Sequence, residues 1–503
     1  MEPSADSPPP VGVGNSAAAG VMWLTGQKWA IRVLSFVTIA VLTRLLTPAE
    51  FGTVAAALTV LPFFFLLADL GFAAYIVQVK ATDRRMLSTA FWFSMAAGIV
   101  LCGCLLLIAP LLGVIFVAPD VVPVLQVLSV WVVVTAIGSV PIALLRRDMR
   151  FATIAAQGAA SAVVAQVAAI IMAFSGFGVW ALVAQSLVAG VLSTALAWWA
   201  VGWRPTWAFS SVDFVRMARF GGQVLGVEFV AMLRAWGEAA VISATLGLTA
   251  LGYMSIAQRL VKIVQDLTGS AIVPVTNVAF AKIRDSVTRL RDAYLRALTV
   301  TYAALSLPLT IVAVAAPLMI PILFGDGWDE SYQVAQVLAL AGTLSVGAWL
   351  DHGLFYGLGR PGTWFVYALI IDVLTFATTV FTVRWGLVAV AIGFLCVAAI
   401  ATMVRWFLVA RALRTTPRIV GGPFVYLAIV VGCMGAAGWV VKLWTADLFA
   451  WLSIILISLA ILIVHAGITL LMARPAIHEA LRIVSRFGIG SRLPFLARIR
   501  AKS

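Results

Sequence analysis

Charge is what this sequence has least of. Asp, Glu, Lys and Arg make up 11% of its 503 residues, against 63% that are hydrophobic. A soluble domain carries about a quarter charged residues, so there is too little polar surface here to cover one or several water-soluble domains. A soluble enzyme and a disordered chain are both excluded. Histidine is scarce as well, with three residues, and there are four cysteines. Cys102, Cys104, Cys396 and Cys433 all fall inside apolar runs, without metal-ligand spacing or a disulfide framework. The sequence has no G-x-x-x-x-G-K-[ST] loop for ATP, no Ser-His-Asp pattern and no cluster of metal ligands. No cofactor and no enzymatic constellation are therefore expected. A sizeable outer loop or domain that could house glycosyl transfer is missing too. The first 21 residues hold Pro8-Pro9-Pro10 and no Lys or Arg, so they lack the basic start of a signal peptide and are expected to form a disordered cytoplasmic tail.

What is present is a series of long apolar runs. A membrane-spanning helix needs about 20 apolar residues. Fourteen spans are expected, at 22–43, 53–77, 88–110, 121–144, 152–174, 178–201, 221–245, 252–279, 298–320, 333–358, 363–383, 386–408, 422–442 and 450–472. The runs are continuous rather than alternating, which excludes a β-barrel. The fold class expected is an all-α polytopic membrane protein. Lys and Arg test the count: loops after even-numbered spans and the C-terminal tail hold 26 of the 34, among them Arg146, Arg204, Arg289 and Arg405. Loops after odd-numbered spans hold Arg44, Arg384 and Lys442. A missed helix would destroy this alternation. Both termini are then expected in the cytoplasm. The net charge of +14 reads as topology, with no nucleic-acid partner. The basic tail from Ala473 to Ser503 either lies on anionic lipid or is a solvated end that fixes orientation. Trp198, Trp199, Trp203 and Trp207 cluster at an expected interface and read as belt anchors.

The turn at Leu46-Thr47-Pro48-Ala49-Glu50-Phe51-Gly52-Thr53-Val54-Ala55 has a partial copy at Leu248-Thr249-Ala250-Leu251-Gly252-Tyr253-Met254-Ser255-Ile256-Ala257. The same offset places Arg32 on Arg234. Six helices separate the copies, so the halves share one orientation, as in parallel repeats. The expected organisation is a tail over 1–21, a lobe of spans 1–6 over 22–205, a lobe of spans 7–12 over 206–415, two further helices within 416–472 and a basic tail over 473–503.

Ionisable groups inside spans are costly and face the bundle interior or a wet cavity. Span 1 carries Lys28 and Arg32 on one face, span 2 Asp69, and span 7 Glu228, Arg234 and Glu238. Span 8 carries Arg259, Lys262 and Asp266, while spans 10 and 11 add Asp351, His352 and Asp372. Two pairs sit one turn apart, Arg234 with Glu238 and Lys262 with Asp266. Lys28 and Arg32 have no acid on their own helix face. Either Asp69 and Glu228 neutralise them and the network fixes packing, or they face a cationic cavity that receives an anion. Asp351-His352 reads as a proton relay or as a helix-end pair near a cytoplasmic loop, and Asp372 as a candidate for ion coupling.

Gly26-Gln27-Lys28-Trp29, Thr43 through Gly52, Ala68-Asp69-Leu70-Gly71-Phe72 and Gln78 resemble the polysaccharide-transporter (oligosaccharide flippase) branch of the multidrug/oligosaccharidyl-lipid/polysaccharide exporter superfamily. Leu251-Gly252-Tyr253 to Arg259-Leu260 and Phe324-Gly325-Asp326-Gly327-Trp328 extend the likeness. The resemblance implies two six-helix lobes, a central cavity and alternating access, in the bacterial inner membrane. It also implies a substrate, undecaprenyl-pyrophosphate-linked oligosaccharide for lipopolysaccharide, exopolysaccharide or capsule synthesis, whose anionic head group would meet Lys28, Arg32, Arg234 and Arg259. Lys262 joins these cations as a candidate from its place in span 8. Asp69, Glu228, Glu238, Asp266 and Asp372 would be ion-pair or coupling acids. The polymerase and glycosyltransferases of such a pathway would be partners, besides membrane lipid. The alternatives are a peptidoglycan lipid-precursor flippase, a multidrug exporter of the same superfamily, and a membrane glycosyltransferase or polymerase.

Overall fold

The computed structural model describes residues 31–79, 81–283 and 285–473, and within these the side chains of 223–228, 267–279 and 281–282 are not described. Every regular element among the described residues is helical. In order they are α1 (31–45), α2 (Pro48–Asp69), α3 (Phe72–Gln78), α4 (Arg84–Ile115), α5 (Val121–Arg147), α6 (Phe151–Phe174), α7 (Trp180–Ala200) and α8 (Ser211–Ile283). There follow α9 (Val287–Phe324), α10 (Asp329–Ser345), α11 (Gly347–Gly357), α12 (Pro361–Thr382), α13 (Leu387–Ala412), α14 (Pro417–Trp444) and α15 (Ala450–Met472). In the absence of water every backbone N–H and C=O must be satisfied within the segment, which is why continuous apolar runs become helices.

Among the described residues, 12 helices are long and apolar enough to cross a membrane, so this is a multi-pass membrane protein. The difference from fourteen has two sources. The first span begins outside the described residues, and its described part is α1. The seventh and eighth are joined in α8, where Gly247 (φ 85°, ψ 171°) interrupts the helix; that conformation lies outside the range of L-residues with a Cβ.

Two breaks follow directly from sequence. At the start of α2, Thr47 is the N-cap and Pro48 occupies the first turn. The Thr47 backbone N–H donates to Glu50 Oε2 at 2.7 Å, and the Glu50 N–H donates to Thr47 Oγ1 at 3.3 Å, a reciprocal capping box. At its end the chain turns through Leu70 (φ 46°) and Gly71 (φ 72°) before restarting as α3. The partial copy of the first turn, at 248–257, has Gly252 where Glu50 stands and opens its helix from Gly247 instead.

The chain divides into two compact units, Met1–Leu248 and Thr249–Ser503. In the first, Phe72, Ile76, Met86, Phe91, Leu144, Leu145 and Ala197 belong to one core cluster. The second packs Tyr294, Leu298, Leu350, Leu354 and Phe355 with residues from the last two helices, Tyr426, Met434, Ile457 and Ile461. Gly438 permits that approach: a Cβ there would lie 2.9 Å from Ile461 Cδ1 and 3.2 Å from Val314 Cγ1.

Several arginines assigned to topology also close helix ends. The Arg147 guanidinium donates to the carbonyls of Ile76 and Val79 at 2.9 Å each, beside the C-terminus of α3. Arg150 donates to the Ala200 carbonyl at 2.8 Å at the end of α7. Arg204 donates to Val201 O at 3.2 Å and Trp203 O at 3.0 Å, with its guanidinium over the Trp198 ring. The last carbonyls of a helix have no intrahelical donor, and a cation there also meets the negative end of the helix dipole. Arg289, Arg291 and Arg296 correct the expected loop: they lie on the first turns of α9, which begins at Val287.

Candidate functional site

The candidate charges divide between the units. Arg32, Asp69, Arg234 and Glu238 belong to the first; Arg259, Lys262, Asp266 and Asp372 belong to the second. Lys28 lies outside the described residues, as does the side chain of Glu228.

Arg32 is half-buried on α1. The helix that carries it is tied to α6 one and two turns further on. Gln166 Nε2 donates to Ser35 Oγ at 2.8 Å, and Thr38 Oγ1 donates to Gln166 Oε1 at 3.1 Å. Gln166 and Thr38 are buried, so this polar contact in an apolar interior holds the face of α1 in register.

Asp69 ends α2 and its carboxylate accepts the backbone N–H of Ala73, at 3.3 Å to each oxygen. The acid therefore stabilises the start of α3, where orphan N–H groups favour a negative charge. The neighbouring Gly71 lies against Gly221 of α8: a Cβ on Gly71 would stand 2.8 Å from Gly221 Cα, and one on Gly221 would overlap the Leu70 carbonyl oxygen. Phe63 and Phe229 meet with ring centroids 5.4 Å apart further along the same helices. The signature around Asp69 thus builds a turn and a close backbone crossing between α2 and α8.

On α8, Arg234 Nη1 donates to Glu238 Oε1 at 2.7 Å, an i,i+4 ion pair whose side chains are 28% and 10% exposed. Among the described residues, this is the pair one turn apart for which the structure gives a hydrogen bond. Beyond Gly247, Arg259 and Lys262 are exposed and Asp266 is half-buried. Asp372 is half-buried on α12.

The strongest charge cluster in the second unit was not expected from sequence. Arg405, counted among the loop cations, lies inside α13 and is 4% exposed. Its Nη1 donates to Asp351 Oδ2 at 3.2 Å, and its Nη2 donates to the Leu344 carbonyl at 2.8 Å and to Thr402 Oγ1 at 2.7 Å. The Tyr294 hydroxyl donates to the other carboxylate oxygen of Asp351. Asp351 is therefore the centre of a buried network spanning α9, α11 and α13. His352 is exposed and stacks on Tyr356 with centroids 4.2 Å apart. The signal available was position: residue 405 lies inside the expected span 386–408, and a charge inside a span needs a partner.

Chemically the candidates fall into two kinds. Arg405 and Asp351 are buried and held by protein groups. Arg259 and Lys262 are exposed residues and Arg32 is a half-buried one. Among the described residues no group of His, Cys, Asp and Glu is arranged to hold a metal ion.

Comparison with known proteins accords with this architecture. A family model described as "Polysaccharide biosynthesis protein" matches residues 41–333. The succinoglycan biosynthesis transport protein ExoT of Rhizobium meliloti (strain 1021) is 28% identical over 356 residues, 71% of this chain and 72% of that one. The lipopolysaccharide biosynthesis protein WzxC of Escherichia coli (strain K12) is 25% identical over 338 residues, 64% of this chain and 68% of that one. Among solved structures, the lipid II flippase MurJ in an inward closed conformation aligns with a TM-score of 0.72 at 12% identity, covering 90% of this chain and 100% of that chain. At that identity the likeness is one of fold.

Proposed function

Since the chain belongs to the polysaccharide biosynthesis protein family, matched over residues 41–333, we propose that it is a flippase for lipid-linked oligosaccharides. It carries undecaprenyl-pyrophosphate-linked repeat units across the bacterial cytoplasmic membrane by alternating access, for assembly into an extracellular or surface polysaccharide. The observation that carries this reading is the alignment with a relative named as a transport protein in succinoglycan biosynthesis, over 71% of this chain. The polytopic helical architecture agrees with it, and the chain acts as a transporter rather than as an enzyme.

The physics of the task fits the charges. A pyrophosphate-sugar head group is large, polar and anionic, and hydrocarbon excludes it. Cations held inside the bundle in contact with water remove that penalty, while the prenyl tail remains in lipid. Arg32, Arg234, Arg259 and Lys262, with Lys28, are the groups assigned to the head group. Asp69, Glu228, Glu238, Asp266 and Asp372 are the acids that keep those cations from binding too tightly or that couple an ion. The membrane potential supplies about 2.3 kcal/mol per charge per 100 mV to any coupled cation. The distribution of Lys and Arg along the sequence supports cytoplasmic termini in this reading.

The test is a cell lacking this gene, complemented with the wild-type chain or with the double variant Arg32→Ala/Arg234→Ala. The wild-type chain restores polysaccharide export. The double variant accumulates in the membrane to the wild-type level and exports at least tenfold less. Normal export by that variant removes the cationic path. Drug resistance on overexpression with no polysaccharide phenotype would assign the chain to multidrug export instead, and rescue of peptidoglycan precursor supply would assign it to that pathway.

A further inference from the structure

The second unit contains a membrane helix whose hydrogen-bond ladder is interrupted inside the apolar region. The span Asp329–Gly357 is divided into α10, ending at Ser345, and α11, starting at Gly347. Val346 keeps helical dihedrals (φ −60°, ψ −34°), but the Trp349 N–H turns to the carbonyl three residues back, at Val346, at 3.2 Å. Mid-helix tightening of this kind marks a hinge or a site of strain, and a side chain inserted into the ladder is one of its few causes. Here the inserted group is identifiable. Arg405 Nη2 donates to the Leu344 carbonyl on one side of the interruption, and Arg405 Nη1 donates to Asp351 on the other. One guanidinium thus bridges both halves of a broken helix from a third, α13.

The surroundings are built around that bridge. Tyr294 donates to Asp351 from α9, and Thr402 accepts from Arg405 one turn before it. Gly347, the first residue after the interruption, leaves the space: a Cβ there would lie 3.1 Å from Arg405 Nη1 and 2.9 Å from the Tyr302 hydroxyl. Arg405 Nε is buried without a hydrogen-bond partner, so the guanidinium gives up part of its own capacity to hold this geometry. Replacing a buried ion pair by a well-packed apolar pair of the same volume is often neutral or stabilising. Stability alone therefore does not account for this pair.

We propose that Arg405 is a positioning residue for transport, holding the halves of the helix Asp329–Gly357 in their interrupted form through Asp351 and the Leu344 carbonyl. The role in transport rests on the flippase reading above. The bridge itself does not, so it is tested separately.

In the gene-deleted cell, the chains compared are wild type, Arg405→Met, the pair Asp351→Leu/Arg405→Met and Gly347→Ala. Arg405→Met leaves a lone buried carboxylate and falls in membrane level and export together. The apolar pair regains membrane level to within twofold of wild type yet exports at least tenfold less. Wild-type export by the pair, at wild-type level, overturns the proposal. Should the pair fail to accumulate, Gly347→Ala decides: it keeps both charges, displaces the guanidinium and lowers export at least threefold at unchanged membrane level, and unchanged export overturns the proposal. The purified chain gives an answer independent of transport. Spin labels on Tyr356→Cys and Arg411→Cys, with the four native cysteines replaced by Ser, report a narrow distance in the wild-type background and a broadened one in the Gly347→Ala background. If the distance broadens but even wild type fails to restore export, the flippase reading fails and the bridge stands; an unchanged distance removes the bridge.

Discussion

Among the described residues, each unit contains an ion pair with at least one buried partner, and the shorter of the two is the weaker. In the first unit Arg234 and Glu238 meet at 2.7 Å, with side chains 28% and 10% exposed. In the second, Arg405 and Asp351 meet at 3.2 Å, with side chains 5% and 2% exposed. The first pair joins neighbours on one helix that are one turn apart whatever the rest of the chain does. The second joins residues 54 positions apart in sequence, on different helices, and recruits Tyr294, Thr402 and the Leu344 carbonyl. Distance is a poor measure of what an ion pair does. What separates them is how much water is removed and how many other groups lose a partner when one member goes.

That difference orders the expected effects of substitution. The largest belongs to the second unit. Arg405→Ala leaves Asp351 charged and buried, with the Leu344 carbonyl deprived of its donor. Breaking a buried pair from one side costs about 3–5 kcal/mol. We expect a fall in the thermal midpoint of the purified chain and a clear loss of membrane level. A midpoint within 1 °C of wild type would show that the site is wetter, and the two pairs more alike, than their burial indicates.

The next effect asks whether Arg147 and Arg150, which donate to helix-end carbonyls, behave as an intermediate class. Arg147→Met removes two charged hydrogen bonds to Ile76 and Val79 from a half-buried side chain. Hydrogen bonds to charged groups contribute about 1.5–3 kcal/mol, and Met preserves most of the packing. Arg150→Met removes one bond from an exposed side chain and should be near neutral. Equal midpoints for the two variants would mean that helix-end carbonyls near the membrane surface are served by water as well as by Arg147. Below these lies the capping box at the start of α2. Thr47→Ala should cost about 1 kcal/mol, read as a lower denaturant midpoint, with no counterpart at Gly247, where no side chain caps the equivalent turn.

The same contrast explains what could be read in advance. Helices, their order and the apolar segments were legible because they depend on composition over about 20 residues. Thr47, Pro48 and Glu50 were legible as a turn because a capping box is local. The acid at 69 was legible as a charge inside a span, but its contact with the Ala73 N–H depends on the left-handed turn at Leu70-Gly71. That turn in turn depends on a backbone crossing at Gly221, 150 positions away. Arg405 was misassigned for the same reason. Counting charges by loop tells which side of the membrane a cation is near, and cannot tell that the cation points back into the bundle toward an acid on another helix. The candidate cations of α8 are halfway: Arg234 with Glu238 follows from helical spacing, while the exposure of Arg259 and Lys262 beyond Gly247 does not.

The smallest stability effect is the most informative about function. An i,i+4 pair on a helix surface contributes about 0.2–0.5 kcal/mol, so Arg234→Ala and Glu238→Gln should both move the thermal midpoint far less than loss of Arg405 does. Their effects on export should then separate. If the pair exists to hold α8 together, the two variants behave alike, since each breaks the same bond. If Arg234 receives the anionic head group, Arg234→Ala lowers export severalfold, whereas Glu238→Gln keeps the cation, removes the Glu238 charge beside it and leaves export intact or slows only release. The pair in the second unit cannot show this separation, because loss of either partner there strands the other in an apolar interior. A pair that is dispensable for folding is therefore where a functional charge can be recognised, and measuring export at matched membrane levels for these two variants tells a substrate-facing cation from a structural one.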